Sequence, residues 1–181
     1  MHGNLAEALP SAPSLMRFAP EGPKILRRDQ ASSYASWGNI AVVLGRQPPD
    51  SSHVANYRAC VLDMLKAHPE GIGLITVVNG TSTPQPSGRE ALIALFREIL
   101  PKVDATLLVP NATGFQAAVL RSVMGCFILA SGQRDRLKVE RSLSIGIPWL
   151  AGKVLGVHDL QQAAMLEKGI QHFCEVESAA G

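Results

Sequence analysis

GIGLITVVNGTSTPQPSGREALIALFREIL, residues 71–100, is the stretch that decides the fold. Its first part, Gly73-Leu74-Ile75-Thr76-Val77-Val78, is a short, β-branched apolar run bounded by glycine. Such a run predicts a strand buried on both faces. Asn79 to Pro86 follows as a polar loop rich in Gly, Ser, Thr and Pro. Ser87-Gly88-Arg89-Glu90 then has the form of a capping box: the Ser87 hydroxyl can accept from the backbone N–H three residues on, and Glu90 can reach back. Leu92, Leu95, Phe96 and Ile99 come next at the spacing of one helix face. The segment is half of a strand–helix–strand unit, with its loop at the strand's C-terminal end. In open α/β sheets that end is where ligands and partners bind.

Working outward, the same alternation repeats. Ile40-Ala41-Val42-Val43-Leu44 is an inward-running strand, and Ser33 to Trp37 before it alternates, with Gly38-Asn39 as the hairpin turn. Ser51 or Ser52 can cap a helix to about Ala67 with Val54, Tyr57, Val61 and Leu65 on one stripe. His68-Pro69-Glu70-Gly71 stops it. Ala105 to Val109 is a further buried strand. A helix over about 114–130 follows, with Phe115, Ala118, Val119, Ser122, Val123 and Cys126 on one face. Leu120, Met124 and Ile128 make the opposite side apolar too, so cover on both sides is expected. Leu137 to Ser142 alternates as a last strand, and a short helix runs from Ser144 toward Trp149-Leu150, with Pro148 limiting its regularity.

This order predicts an α/β fold: a small, open, mostly parallel sheet with right-handed crossovers, an N-terminal antiparallel hairpin at its edge, and flanking helices. The strands at 73–78 and 105–109 should pair in parallel. Trp37 and Trp149 should lie against the core, since large aromatics dominate burial. Three parts are expected: a Pro-rich arm over 1–22, in which Leu15, Met16 and Phe18 could dock somewhere, the α/β domain over 23–152, and an amphipathic helix and tail over 153–181. That last helix, about 159–174, has Leu160, Ala163, Ala164, Ile170 and Phe173 on one side. It can pack on the domain, cover a sheet edge, or pair with a second copy as a homodimer.

Composition narrows the function. Hydrophobic residues are 46% and charged residues 18% of the 181, enough apolar material for a core. A formal net charge of +2 without a basic stripe gives no case for nucleic acid. No apolar run reaches the length of a membrane span, so no integral membrane segment is expected. Cys60, Cys126 and Cys174 fit no metal or disulfide spacing, which suits a cytoplasmic setting. Cys60 and Cys126, in apolar helical patterns, read as small core residues. The five histidines form no ligand set, so no metal and no cofactor is predicted. The loop from Gly80 to Gly88 lacks the ending of a P-loop, and no nucleophile elbow occurs.

Three stretches, HPEGIGLITVV (68–78), GFQAAVLRSV (114–123) and KVERSLSIGIPWL (138–150), together resemble the STAS-like fold. That is the family of the bacterial anti-sigma-factor antagonist and of lipid-binding STAS/SEC14-type domains. The resemblance covers roughly Trp37 to Leu150 and points to uncharacterised bacterial members. It implies a regulatory module that works by binding a protein partner. In the phosphorylated antagonists a serine following an aspartate begins the helix after the central strand. Here Ser87-Gly88 matches the Ser-Gly, Pro86 replaces the preceding serine and Gln85 stands where the aspartate would be. Ser87 therefore reads first as a helix cap.

The candidate partner-facing or anion-facing loop comprises Asn79, Thr81, Ser82, Thr83 and Ser87. Arg121, on the helix over 114–130, either reaches solvent or binds a strand-end carbonyl, a carboxylate such as Glu90 or Asp104, or an anionic ligand at the sheet's C-terminal edge. No catalytic residues are assigned. A non-enzymatic interaction module fits these residues. The two-sided apolar helix keeps a small-molecule or lipid carrier as the alternative, and an enzyme whose groups meet only in space is the third.

Overall fold

The computed structural model describes residues 22–79, 86–111, 118–119, 121–122, 124–126, 129, 132, 135–154 and 160–180. One six-stranded sheet organises them. Its strands are β1 (Lys24–Arg28), β2 (Ser32–Trp37), β3 (Ile40–Gly45), β4 (Gly73–Asn79), β5 (Ala105–Asn111) and β6 (Leu137–Val139), in sequential order across the sheet. β1, β2 and β3 pair antiparallel, and β3 through β6 pair parallel. The expected parallel pairing is present: Gly73 lies opposite Ala105 and Val77 opposite Val109. The antiparallel edge is one strand wider than the sequence suggests, because Lys24–Arg28 pairs with β2 across a register shift between Ile25 and Arg27. That strand is mostly exposed, so it carries little of the apolar alternation that marks a strand in sequence.

Helices bridge the first two parallel pairs. α1 (Ser51–Ala67) joins β3 to β4, and α2 (Pro86–Ile99), extended by a 3₁₀ turn over Leu100–Lys102, joins β4 to β5. Sequential strands with crossovers of one hand place successive helices on the same face of a sheet. Tyr57, Cys60, Val61 and Met64 of α1 and Leu92, Leu95 and Phe96 of α2 accordingly share one cluster with Ala41, Val43, Leu74 and Leu108. The other face of the same strands presents Ile40, Val42, Leu44, Ile75, Val77, Leu107 and Val109. Two C-terminal helices cover it: α3 (Leu143–Lys153), through Leu143, Ile147 and Leu150, and α4 (Leu160–Ala179), through Leu166, Ile170 and Phe173.

The last helix thus belongs to the sheet's own core. Its apolar side, including Ala163, is used within the chain, while Ala164 faces outward. Gly169 makes the contact close: a Cβ there would run into the Trp37 ring. Gly38 opens the β2–β3 hairpin with φ +57°, a conformation that glycine adopts without penalty. Trp37 is buried, and Trp149 is half-buried against the same core.

The helical residues between 118 and 129 correct one expectation. Met124 is buried in the first cluster, but Ala118, Ser122, Cys126 and Leu129 are exposed. The segment therefore has an open side, and Cys126 is a surface thiol, not a core residue. The sequence misled because alanine, serine and cysteine fit a buried face and an exposed one equally well. Cys60 is buried as expected. No helix among the described residues is long and apolar enough to cross a membrane.

A candidate site at the strand ends

β4 and β5 both end on asparagine, and the parallel register sets Asn79 directly beside Asn111. The Asn111 amide Nδ2 donates to Asn79 Oδ1 at 2.8 Å, and Asn79 Nδ2 donates to Ser178 Oγ at 2.7 Å. Ser178 in turn donates to the Cys174 carbonyl at 2.6 Å, one turn back along α4. This chain of amides and hydroxyls borders an open cleft of about 490 Å³ at the C-terminal edge of the parallel strands. Val77, Val109, Leu143 and Cys174 give the cleft apolar walls. Arg141, Ser142, Gln171 and Glu175 supply its polar ones. The strand ends place the asparagines, the β6-to-α3 connection places Arg141 and Ser142, and α4 places the rest.

The arrangement offers carboxamides, hydroxyls, a guanidinium and a carboxylate on an exposed rim, so it can hold polar groups by several hydrogen bonds at once. Ser142 begins α3 without capping it; its hydroxyl lies 2.9 Å from that of Ser144. The Cys174 thiol is pushed up to about 12 by burial, with Glu175 adding to the effect, so it stays protonated and does not act as a nucleophile near neutral pH.

Of the residues singled out in the sequence, Asn79 lies at this site. Thr81, Ser82 and Thr83 fall outside the described residues. α2 begins at Pro86, so Ser87 stands inside the first turn and not at the cap, with proline in the first helical position that suits it. The side chain of Ser87 is also outside the description. Arg121 is an exposed helical residue and does not line the cleft. It pairs with neither Glu90 nor Asp104; the charge facing Asp104 is that of Arg136. Asn111, Arg141, Gln171, Glu175 and Ser178 were missed. The signal for Asn111 was in the sequence: GLITVVN and ATLLVPN are two strands of equal length, each closed by Asn.

A second polar group lies under the β1–β3 edge. Ser32 Oγ is 2.8 Å from His53 Nδ1, and the Tyr34 hydroxyl is 3.3 Å from the same nitrogen. Asp29 stands close by, so the residue types are those of a serine nucleophile with its base and orienter. The geometry is different. Ser32 is wholly buried. The Asp29 carboxylate accepts from the amides of Ala31 and Ser32, from Asn56 Nδ2 at 2.7 Å and from the Tyr34 hydroxyl, not from the imidazole. Burial pushes the Asp29 carboxyl up, and those hydrogen bonds together outweigh it, leaving it below the usual range. Burial holds the His53 imidazole below its ordinary value against the opposing pull of Asp29 and Asp50. The group fastens the start of α1 to the β1–β2 turn.

No protein-family profile matches the sequence, and no match is found among curated proteins. Among the described residues no group of three or more His, Cys, Asp or Glu is placed to hold a metal ion.

Proposed function

We propose that this chain is a non-enzymatic regulatory module of the STAS-like type, and that it binds a protein partner at the C-terminal edge of its parallel strands. The joined strand-end asparagines carry the proposal: Asn111 is exposed at the sheet edge where open α/β folds bind, and the half-buried Asn79 holds its amide in place. The sequential sheet order, with its crossover helices on one face, agrees with the resemblance of residues 68–78, 114–123 and 138–150 to that family. The cleft is open and polar-rimmed, which suits a protein surface. A carrier would need the helix over 114–130 to be apolar on both sides and wall a cavity, and Ala118, Ser122 and Leu129 are exposed. A hydrolase built on Ser32 would need that buried hydroxyl to reach substrate.

The test is a double variant, Asn111→Asp with Arg141→Glu, both on exposed positions. It should keep the unfolding free energy within about 1.5 kcal/mol of the parent, the worth of the Asn111–Asn79 hydrogen bond that it removes. Recovery of a stoichiometric partner on the immobilised chain should fall by about tenfold, as charge reversal at a contact rim does. Unchanged recovery would overturn the assignment of the edge.

A further inference from the structure

The sheet-facing stripe of α4 is apolar until its last turn. Ala163, Leu166, Ile170, Phe173 and Cys174 are buried, and Glu177 takes the next place on the same stripe. It stands three residues past Cys174 and seven past Ile170, the spacing of one helix face. An apolar side chain there would extend the core. A buried carboxylate instead loses solvation that only well-made hydrogen bonds offset, and what such a group does best is fix register. Register matters for α4, because open clefts of about 510 and 490 Å³ border it on its two sides. Flanking side chains therefore leave the helix room to turn or slide.

The strand register shows what that helix register sets. Ser33 of β2 lies in one row with Arg28 of β1, Leu44 of β3, Val77 of β4 and Val109 of β5, and Asn79 and Asn111 stand two residues beyond the two valines. The Glu177 clamp and the asparagine pair are thus at the same end of the sheet, and the last turn of α4 runs between them. Glu177 fastens that turn to Arg28 and Ser33, and the next residue, Ser178, accepts from Asn79 Nδ2. The Ser178 hydroxyl donates to the Cys174 carbonyl, which leaves its lone pairs for Asn79. Asn79 in turn accepts from Asn111.

We infer that Glu177 is the positioning residue of the strand-end site. Its hold on β1 and β2 places Ser178, Ser178 orients the Asn79 carboxamide, and Asn79 presents the exposed Asn111 amide in one orientation. A partner then meets a preordered rim, which reduces the entropy lost on binding. The role of this relay in binding rests on the edge being the partner-binding face, whereas the relay itself belongs to the free chain.

Side-chain carboxamide signals of the full chain, labelled with nitrogen-15, test the relay with no partner present, so its failure is distinct from failure of the binding edge. Asn79→Asp and Asn111→Asp assign the two signals. Glu177→Ala should speed solvent exchange of both carboxamides by about fivefold, the factor that one hydrogen bond is worth. Arg28→Ala loosens the same clamp from its exposed partner, should act in the same direction, and decides the matter where Glu177→Ala fails to fold. Ser178→Ala, at an exposed position with the clamp intact, should reproduce the effect. Glu177→Gln, which keeps an oxygen for Ser33, should fall nearer the parent than Glu177→Ala. The control is Arg58→Ala, which removes a two-pronged ion pair with Glu98 between α1 and α2 and should leave both rates at the parent value. Rates that the clamp variants leave unchanged, or that Arg58→Ala changes as much, would overturn the inference. Unchanged rates in Ser178→Ala would overturn it too, because Ser178 is the link from α4 to Asn79.

Discussion

Arg28 and Glu177, 149 residues apart, are joined by two hydrogen bonds, from Nε at 2.8 Å and from Nη2 at 2.6 Å. Glu177 is the buried partner at 2% exposure. Its Oε2 also accepts from the Ser33 hydroxyl at 2.5 Å, and Ser33 accepts from Arg46 Nη1 at 2.7 Å. The end of α4 is therefore clamped to β1 and β2 by a carboxylate that two cations and a hydroxyl neutralise.

The hydrogen bond from Arg28 does most to hold the Glu177 carboxyl well below the usual carboxylate range, at about 2, against the opposing effect of burial. With the folded value below the unfolded one, the clamp stabilises fully above about pH 4.5, and that stability is lost as pH falls toward 2. Glu177→Gln should flatten the acid limb of a stability-against-pH curve in that window. Glu177→Ala should cost about 2 kcal/mol at pH 7, since the buried Ser33 hydroxyl and the Arg28 guanidinium lose their acceptor. Arg28→Ala should cost less, because the guanidinium is more than half in solvent. Urea midpoints across pH measure all three.

His53 gives a second, separable pH signature. Its folded value lies below the ordinary 6.5, so the unfolded chain binds a proton near that pH that the folded one refuses. Stability is then fully present above 6.5 and declines as pH falls below it. Proton NMR should find the imidazole titrating below its ordinary value, and His53→Phe should remove this part of the decline. A histidine that titrates normally would mean that the Ser32–His53 contact is open to water.

Gly169→Ala should destabilise, although alanine is the better helix former by about 1 kcal/mol. The added methyl meets the Trp37 ring, which is rigid and held between β2 and α4. Overpacking of this kind costs about 1–3 kcal/mol, so the net loss should be about 1 kcal/mol in a thermal or urea melt. A stabilised variant would show that α4 does not seat on Trp37 as described.

Thiol labelling discriminates the three cysteines. Burial pushes Cys60 up to about 11 and Cys174 up to about 12, whereas Cys126 is exposed. One thiol should react rapidly with a disulfide reagent in the native protein, and mass mapping should place the adduct on Cys126. The other two should react only on unfolding.

Periodicity made the parallel centre legible, because β3, β4 and β5 bury both faces and so read as continuous apolar runs between helical patterns. It could not find β1, whose five residues alternate weakly and sit at an exposed edge. Nor could it place α4: an apolar stripe shows that something covers Leu166 and Ile170, but not whether that is the same chain. The packing of Gly169 on Trp37 decides the question, and close approach leaves no trace beyond a glycine. At the candidate site Asn79 was readable as a strand-end residue, while its neighbours Ser178 and Arg141 come from elements brought there only by the fold. Ser32 and His53, 21 residues apart, were invisible as a pair for the same reason.

The binding edge is tested most directly by position-specific photocrosslinking in cells. A photoreactive side chain is placed at Asn111, on the C-terminal edge of the sheet, and in a parallel strain at Lys66, exposed at the far end of α1. The proposal predicts one covalent protein adduct of defined mass from position 111 and none from position 66. An adduct from position 66 alone, or the same set from both, would contradict it and remove the strand-end cleft as the partner-binding face.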